Sequence, residues 1–186
     1  MKPRLFCFGD SFVDWDIPKH HWTYYLTYHY EVYNYGKRGA DNYSILFQLG
    51  HLPEYLEGDR VVVMFTEPGR FPRRFYEGND LNEKLNHIKY TEAKRWDSGK
   101  RNIEVQFLKN LLIWMENYSP VFLTWNEYFY KLTSDFVTLI EVSSNSQENI
   151  TSKPDFHPGP VGCYNIYIKL HSLLDVKEPI IDSKSE

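Results

Sequence analysis

The chain has 186 residues with a formal net charge of −4, and 42% of its residues are hydrophobic and 25% charged. This length gives one globular domain room for a full core, and the acidic balance disfavours nucleic-acid binding, which usually needs an excess of basic residues. No apolar stretch reaches the roughly 18 residues of a membrane-spanning helix. The N-terminus also lacks the apolar region and cleavage site of a signal peptide, so we expect a protein that is cytoplasmic or exported by a non-classical route.

The first part of the chain alternates predicted strands and helices. Short apolar runs predict strands at 3–8, 30–35 and 60–65. Between them, apolar residues at helical spacing predict a helix at 19–29, and a second helix at 42–49 has a capping residue near its start. The strand at 60–65 is a continuous apolar run, which is typical of a parallel strand buried on both faces.

The second part continues this alternation after an interruption. Residues 70–100 are charged and contain several glycines, which predicts an insertion. Apolar periodicity and turn residues then predict a helix at 101–118, a strand at 120–125, a short helix at 127–132, a strand at 136–142, a polar loop at 143–154 and a closing helix at 161–174. Strands alternating with helices predict a doubly wound parallel α/β sheet.

A serine follows the first predicted strand directly, in the sequence Gly9-Asp10-Ser11. Open α/β sheets bind their ligands at the carboxyl ends of the strands, which is where this serine would lie. Near the other end of the chain, Asp155 and His157 stand close together. Serine, Asp and His in this order can form a nucleophilic triad, in which the imidazole takes the serine proton and the carboxylate orients the imidazole.

Three stretches of the chain, in order, resemble the sequence blocks of the SGNH (GDSL-like) hydrolase family. Residues 8–14, Phe-Gly-Asp-Ser-Phe-Val-Asp, resemble the first block, which makes Ser11 the nucleophile. Residues 34–39, Asn-Tyr-Gly-Lys-Arg-Gly, resemble the second block, in which Gly39 would donate its backbone N–H to the oxyanion. Residues 155–158, Asp-Phe-His-Pro, resemble the last block, which supplies the acid and the base.

The resemblance implies the fold and the extent of the domain. Members of this family have a three-layer, flavodoxin-like, doubly wound α/β fold, and the predicted elements supply a five-stranded parallel sheet for it. We therefore expect a single domain over 1–178, with the insertion at about 70–100, followed by a C-terminal tail at 179–186.

The chain departs from the family pattern after the third strand. The family's third block contains an Asn that binds the oxyanion, but here the sequence reads Thr66-Glu67-Pro68-Gly69-Arg70. Thr66 and Arg70 are the candidate replacements, because an ionised Glu only accepts hydrogen bonds and Pro has no N–H. Arg70 could instead bind an acidic group of the substrate or belong to a solvated face of the insertion.

A second departure concerns the acid and the base. The family usually places its Asp three residues before the His, whereas Asp155 precedes His157 by two. In an extended segment, residues two apart point the same way, so Asp155 could still reach the imidazole ring.

The expected function is that of a serine ester hydrolase acting on a small acyl ester, such as an O-acetylated carbohydrate. The alternative is an SGNH-fold domain with weak or no activity that binds a glycan or belongs to a larger assembly. A flavodoxin-like nucleotide-binding domain fits poorly, because Asp10 is unfavourable in a phosphate-cradling loop. We expect a small-molecule or glycan partner, no nucleic acid, no membrane, no metal and no cofactor. Cys7 and Cys163 are expected to be buried small hydrophobes.

Overall fold

A computed structural model of the chain describes residues 2–14, 18–66, 109–111, 113–140 and 158–176. Its strands are β1 (Arg4–Phe8), β2 (Glu31–Asn34), β3 (Arg60–Phe65), β4 (Val121–Thr124) and β5 (Thr138–Leu139). The α-helices for which both ends are described are α1 (Trp22–Leu26), α2 (Asn42–Gln48), α3 (Glu127–Thr133) and α4 (Pro160–Leu173). Short 3-10 helices span Pro18–His20, Leu49–His51 and Glu116–Tyr118. Residues 109–111 and 113–114 are also helical.

The five strands form one parallel sheet in the order β2-β1-β3-β4-β5. This is the strand order of flavodoxin-like folds, so the predicted fold class is confirmed. Because all the strands run in the same direction, their carboxyl ends meet at one edge of the sheet. The loops that follow β1, β2 and β3 therefore lie side by side at that edge.

The core has two parts, one on each face of the sheet. Alternate residues of β1 face opposite sides, as the period of a strand requires. Leu5 and Cys7 join a cluster that includes residues of α1 and α4. Phe6 and Phe8 join a second cluster, which includes residues of α2 and α3. Helices thus cover both faces, which gives the three layers of the fold.

The predicted helix at 19–29 is shorter in the structure. The helix α1 covers only Trp22–Leu26 and is followed by turns. The hydroxyl of Thr27 donates a hydrogen bond of 2.7 Å to the Tyr24 carbonyl. This bond from a side chain competes with the backbone hydrogen bonds at the end of the helix. The predicted apolar face is confirmed, since Trp22, Tyr25 and Leu26 are all buried.

The last predicted strand is also shorter at its start. Residues 136 and 137 belong to the turn after α3, where their N–H groups donate to the Thr133 carbonyl, so that β5 begins at Thr138. The helix predicted at 161–174 begins at Pro160, a residue favoured at a first helical position. The predicted insertion at 70–100, the loop at 143–154 and the tail lie outside the described residues. The single domain over 1–178 stays a prediction.

Candidate active site

The turn after β1 carries Ser11 and is fixed by Asp10. The Asp10 carbonyl accepts hydrogen bonds from the N–H groups of Val13 (3.1 Å) and Asp14 (3.2 Å). The Asp10 carboxylate accepts the Phe12 N–H at 3.0 Å and is fully buried. Asp10 therefore shapes the turn, and Ser11 is left half-buried at its surface.

Two glycines allow the chain to pack closely at this turn. A Cβ added to Gly9 would lie 2.3 Å from Val13 Cγ2. A Cβ added to Gly36, in the loop after β2, would lie 2.6 Å from the Val13 carbonyl carbon and 2.7 Å from the Asp14 nitrogen. These separations are too short for any side chain, so the loop after β2 presses directly against the Ser11 turn because position 36 is a glycine.

Gly39 lies at a second turn beside the first one. The Ala40 N–H donates to the Lys37 carbonyl at 3.0 Å, and Gly39 has a φ of 69°, which favours glycine at the third position of such a turn. The Lys37 N–H donates to the Gly9 carbonyl at 3.0 Å and joins the two turns. Within the described ranges, neither the Ser11 hydroxyl nor the Gly39 N–H is engaged in a hydrogen bond.

An ion pair also connects the two turns. Arg38, next to Gly39, lies with its Nε 3.6 Å from a carboxylate oxygen of Asp14. The Arg38 side chain is 60% exposed and the Asp14 side chain 33% exposed. Exposed pairs of this kind contribute at most about 1 kcal/mol, so the ion pair is a minor link between the turns.

Three amide side chains make stronger links at the same edge. Asn34 donates to the Val13 carbonyl at 2.5 Å and accepts the Gly36 N–H at 2.8 Å. Gln48, at the end of α2, accepts the Gly9 N–H at 3.1 Å and donates to the Gly9 carbonyl at 3.2 Å. The third amide, from Asn42 at the start of α2, reaches the end of β3.

Asn42 forms a pair of hydrogen bonds with the backbone of Thr66. The Thr66 N–H donates to Asn42 Oδ1 at 2.9 Å, and Asn42 Nδ2 donates to the Thr66 carbonyl at 3.2 Å. The sequence predicts no Asn at this point, because the segment after β3 contains none. The structure brings one there from 24 positions earlier in the chain. A contact at this separation leaves no local signal in the sequence.

The Ser11 turn is also held from the side of α1. The indole N–H of Trp22 donates to the Phe12 carbonyl at 2.7 Å, and His21 Nε2 lies 3.1 Å from the same oxygen. His21 Nδ1 accepts the Thr23 N–H at 3.3 Å and caps α1. The neutral ring therefore carries its proton on Nε2 and donates it to Phe12. Burial lowers the pKa of His21 to about 4, against the opposing effect of the Phe12 carbonyl.

A stacked aromatic pair lies next to this turn. The rings of Phe12 and Trp125 are 5.1 Å apart and nearly parallel, with an interplanar angle of 11°. Trp125 directly follows β4, so its side chain belongs to the same edge of the sheet as Ser11. The pair packs in the core cluster on the α1 and α4 side of the sheet, beneath the Ser11 turn.

The predicted site residues divide into two groups. Ser11, Gly39 and Thr66 lie in the described part of the chain, at the carboxyl ends of β1, β2 and β3. Thr66 is fully buried. Arg70, Asp155 and His157 lie outside the described residues, so their places in the site stay predictions.

Neither cysteine has the environment of a reactive thiol. Both side chains are buried. Burial raises the pKa of the Cys7 thiol far above its ordinary value and raises that of Cys163 to about 11. Since only the thiolate is a good nucleophile, the cysteines pack as small hydrophobes, as predicted.

Metal-binding groups and membrane-spanning helices can be assessed for the described ranges. Their His, Cys, Asp and Glu side chains form no group of three that could hold a metal ion. None of their helices combines the length and apolar character required to cross a membrane.

The comparisons with known proteins support the fold. No protein-family model and no curated protein matches the chain. A similar solved structure is that of a Streptococcus pneumoniae protein provisionally named as a platelet activating factor, with a TM-score of 0.54 and 13% sequence identity. The match covers 94% of this chain and 85% of that protein. At this identity the similarity shows a shared flavodoxin-like α/β fold.

Proposed function

We propose that the chain is a serine ester hydrolase of the SGNH type. The observation that carries the proposal is the position of Ser11 in a tightly held turn at the carboxyl end of β1, directly beside the turn that contains Gly39. The family resemblance assigns these two residues as nucleophile and oxyanion donor. The streptococcal neighbour supports the fold and leaves the activity and the substrate open.

The chemistry assigned to these residues is acyl transfer. His157, oriented by Asp155, would take the Ser11 proton as Oγ attacks the acyl carbonyl, and would return it to the departing alcohol. The N–H of Gly39 would stabilise the oxyanion of the tetrahedral intermediate, an effect worth about 10²–10³ in rate for a single donor. Water would then release the acyl group from Ser11 by the reverse sequence of proton transfers.

Thr66 and Arg70 are proposed to complete the oxyanion site. Thr66 donates its N–H to Asn42 and is fully buried, so Arg70 is the first of the two to test. Arg70 would act through its guanidinium, either on the oxyanion or on an acidic group of the substrate. We propose a small acyl ester as substrate, with an O-acetylated carbohydrate as the first class to test.

The test is covalent labelling of Ser11 by a fluorophosphonate, read by intact mass, together with hydrolysis of p-nitrophenyl acetate. Ser11→Ala should abolish both, while Ser172→Ala, at an exposed position of α4, should change neither. The rate should fall below about pH 6.5, because a protonated imidazole cannot accept the serine proton. A wild-type protein that is neither labelled nor active would favour the binding-domain alternative.

A further inference from the structure

Helix α2 connects the loops that follow three strands of the sheet. It begins at Asn42, three residues after Gly39, and ends at Gln48. Its first residue bonds to the Thr66 backbone after β3, and its last residue bonds to the Gly9 backbone before Ser11. The helix therefore contacts the loops after β1 and β3 through side chains. It also follows the loop after β2 directly in the sequence.

The two contacts have the same chemistry. In each, a side-chain amide accepts a backbone N–H with its oxygen and donates to a backbone carbonyl with its nitrogen. The amides of Asn and Gln carry a donor and an acceptor side by side on one planar group, whereas an ionised carboxylate has no donor. Two bonds to one residue fix both the distance and the orientation of the backbone, which a single bond does not.

The start of the helix is itself rigid. Asp41 caps it by accepting the Ser44 N–H at 2.8 Å and the Ser44 hydroxyl at 3.1 Å, and Asp41 is fully buried. Only Ala40 separates the capping residue from Gly39, and Ala40 is buried as well. Little freedom thus remains between the position of α2 and the direction of the Gly39 N–H.

We propose that Asn42 and Gln48 are positioning residues of the Ser11 site, which set the nucleophile turn, the Gly39 turn and the end of β3 relative to one another. This inference rests on the proposed ester hydrolase function. Neither amide needs to touch the substrate. Asn42 acts at the third strand, by holding the Thr66 backbone from the neighbouring helix.

The experiment uses isosteric variants of the full chain. Asn42→Asp and Gln48→Glu keep the shape of each side chain, remove its donor and place a carboxylate oxygen against a backbone carbonyl. Asn117→Asp is the matched control, since it makes the same change at an exposed position of the 3-10 helix Glu116–Tyr118. The measurements are the rate constant for fluorophosphonate labelling of Ser11, kcat and KM for p-nitrophenyl acetate, and the melting temperature.

The expected result is a fall in kcat and in the labelling rate on the order of 10- to 100-fold for each α2 variant, because displacements near 1 Å in a catalytic site can cost this much. KM should stay within about twofold, because the amides do not bind the substrate. Asn117→Asp should behave as the wild type. If an Asp or Glu variant does not fold, Asn42→Ala and Gln48→Ala, which add no charge, should show the same loss of kcat.

Two results would overturn the inference, and they are distinguishable. Folded α2 variants that are labelled and turn over at the wild-type rate, below their melting temperatures, would show that the amides only stabilise the fold. A wild-type protein that resists labelling would instead remove the proposed function, and the positioning role with it.

Discussion

The protonation state of His21 predicts a component of stability that is lost in acid. Burial lowers the pKa of its imidazole from 6.5 to about 4, against the weaker effects of the Phe12 carbonyl and the Asp14 carboxylate. The folded state keeps the ring neutral, while the unfolded chain already binds a proton at pH 5. The contribution is therefore fully present above about pH 6.5 and is lost as the pH falls toward 4.

The size of the effect follows from the two pKa values. Linkage gives a loss of about 2 kcal/mol at pH 5 and about 3 kcal/mol at pH 4. For a domain of this size, 1 kcal/mol corresponds to a change in melting temperature of about 2–4 °C. This one group should therefore lower the melting temperature by about 4–8 °C between neutral pH and pH 5.

Thermal unfolding of three proteins between pH 8 and pH 4.5 isolates the effect. His21→Gln removes the titrating group, so its melting temperature should fall less steeply with pH than that of the wild type. At pH 8 the variant should already be less stable, because the Thr23 N–H loses its capping partner. His20→Gln is the control, since His20 is the adjacent residue and is exposed. It should keep the wild-type pH dependence.

If the melting temperatures of the wild type and His21→Gln fall in parallel from pH 8 to pH 4.5, burial does not lower the pKa of His21. Carboxylates that titrate in acid are common to all three proteins, so they cancel in the comparison. The lowered pKa of His21 also distinguishes its titration from that of a catalytic base. Because the ring titrates near pH 4 in the folded protein, a loss of activity near pH 6.5 would have to come from another group, such as His157.

Two further predictions concern the opposite ends of β1. Gly36→Ala should lower the free energy of unfolding by about 1–3 kcal/mol and slow the labelling of Ser11, because the new Cβ would lie 2.6 Å from the Val13 carbonyl carbon. Gly50→Ala is the control and should do neither, since no atom lies within 4 Å of its new Cβ. Equal effects of the two changes would show that close packing at Gly36 is not the cause. Asp59→Asn should cost about 2–4 kcal/mol at pH 7, because Arg4 donates hydrogen bonds of 3.0 and 2.5 Å to this buried carboxylate. Burial acts to raise the pKa of Asp59, but Arg4 holds it below its usual value. The difference in unfolding free energy between the wild type and Asp59→Asn, measured with denaturant, should therefore narrow below about pH 4. A constant difference down to pH 3 would contradict this assignment.

Much of the fold follows from local patterns in the sequence. The bounds predicted for β3 are those of the structure, because a short apolar run rich in β-branched Val favours a strand buried on both faces of a sheet. The length of α1 could not be predicted in the same way. Its apolar spacing continues to His29, but Thr27 turns its hydroxyl back to the Tyr24 carbonyl and the chain leaves the helix. The periodicity of apolar residues predicts which face of a helix is buried, but it does not predict the residue at which the helix ends.

The neighbourhood of Ser11 and Gly39 was predictable for a different reason. Parallel strands place their carboxyl ends together, so two loops that follow adjacent strands must meet. The links that fix their geometry were not predictable, because Asn42 and Thr66 are 24 positions apart and Gly9 and Gln48 are 39 apart. His21 was missed as well. Its role depends on the bend that brings Phe12 to it, which no local spacing shows.

The links between loops differ in charge at the two edges of the sheet. A strong ion pair, Arg4 with the buried Asp59, lies at the amino ends of β1 and β3, far from Ser11 along the strands. At the carboxyl ends, the ion pair of Arg38 with Asp14 is exposed and minor, and the neutral side chains of Asn42 and Gln48 make the paired hydrogen bonds between the loops. A fixed charge next to a catalytic imidazole would shift its pKa away from the working pH, whereas an amide fixes the backbone without a net charge. Asn42 and Gln48 therefore fix this edge of the sheet without adding a net charge beside the proposed nucleophile.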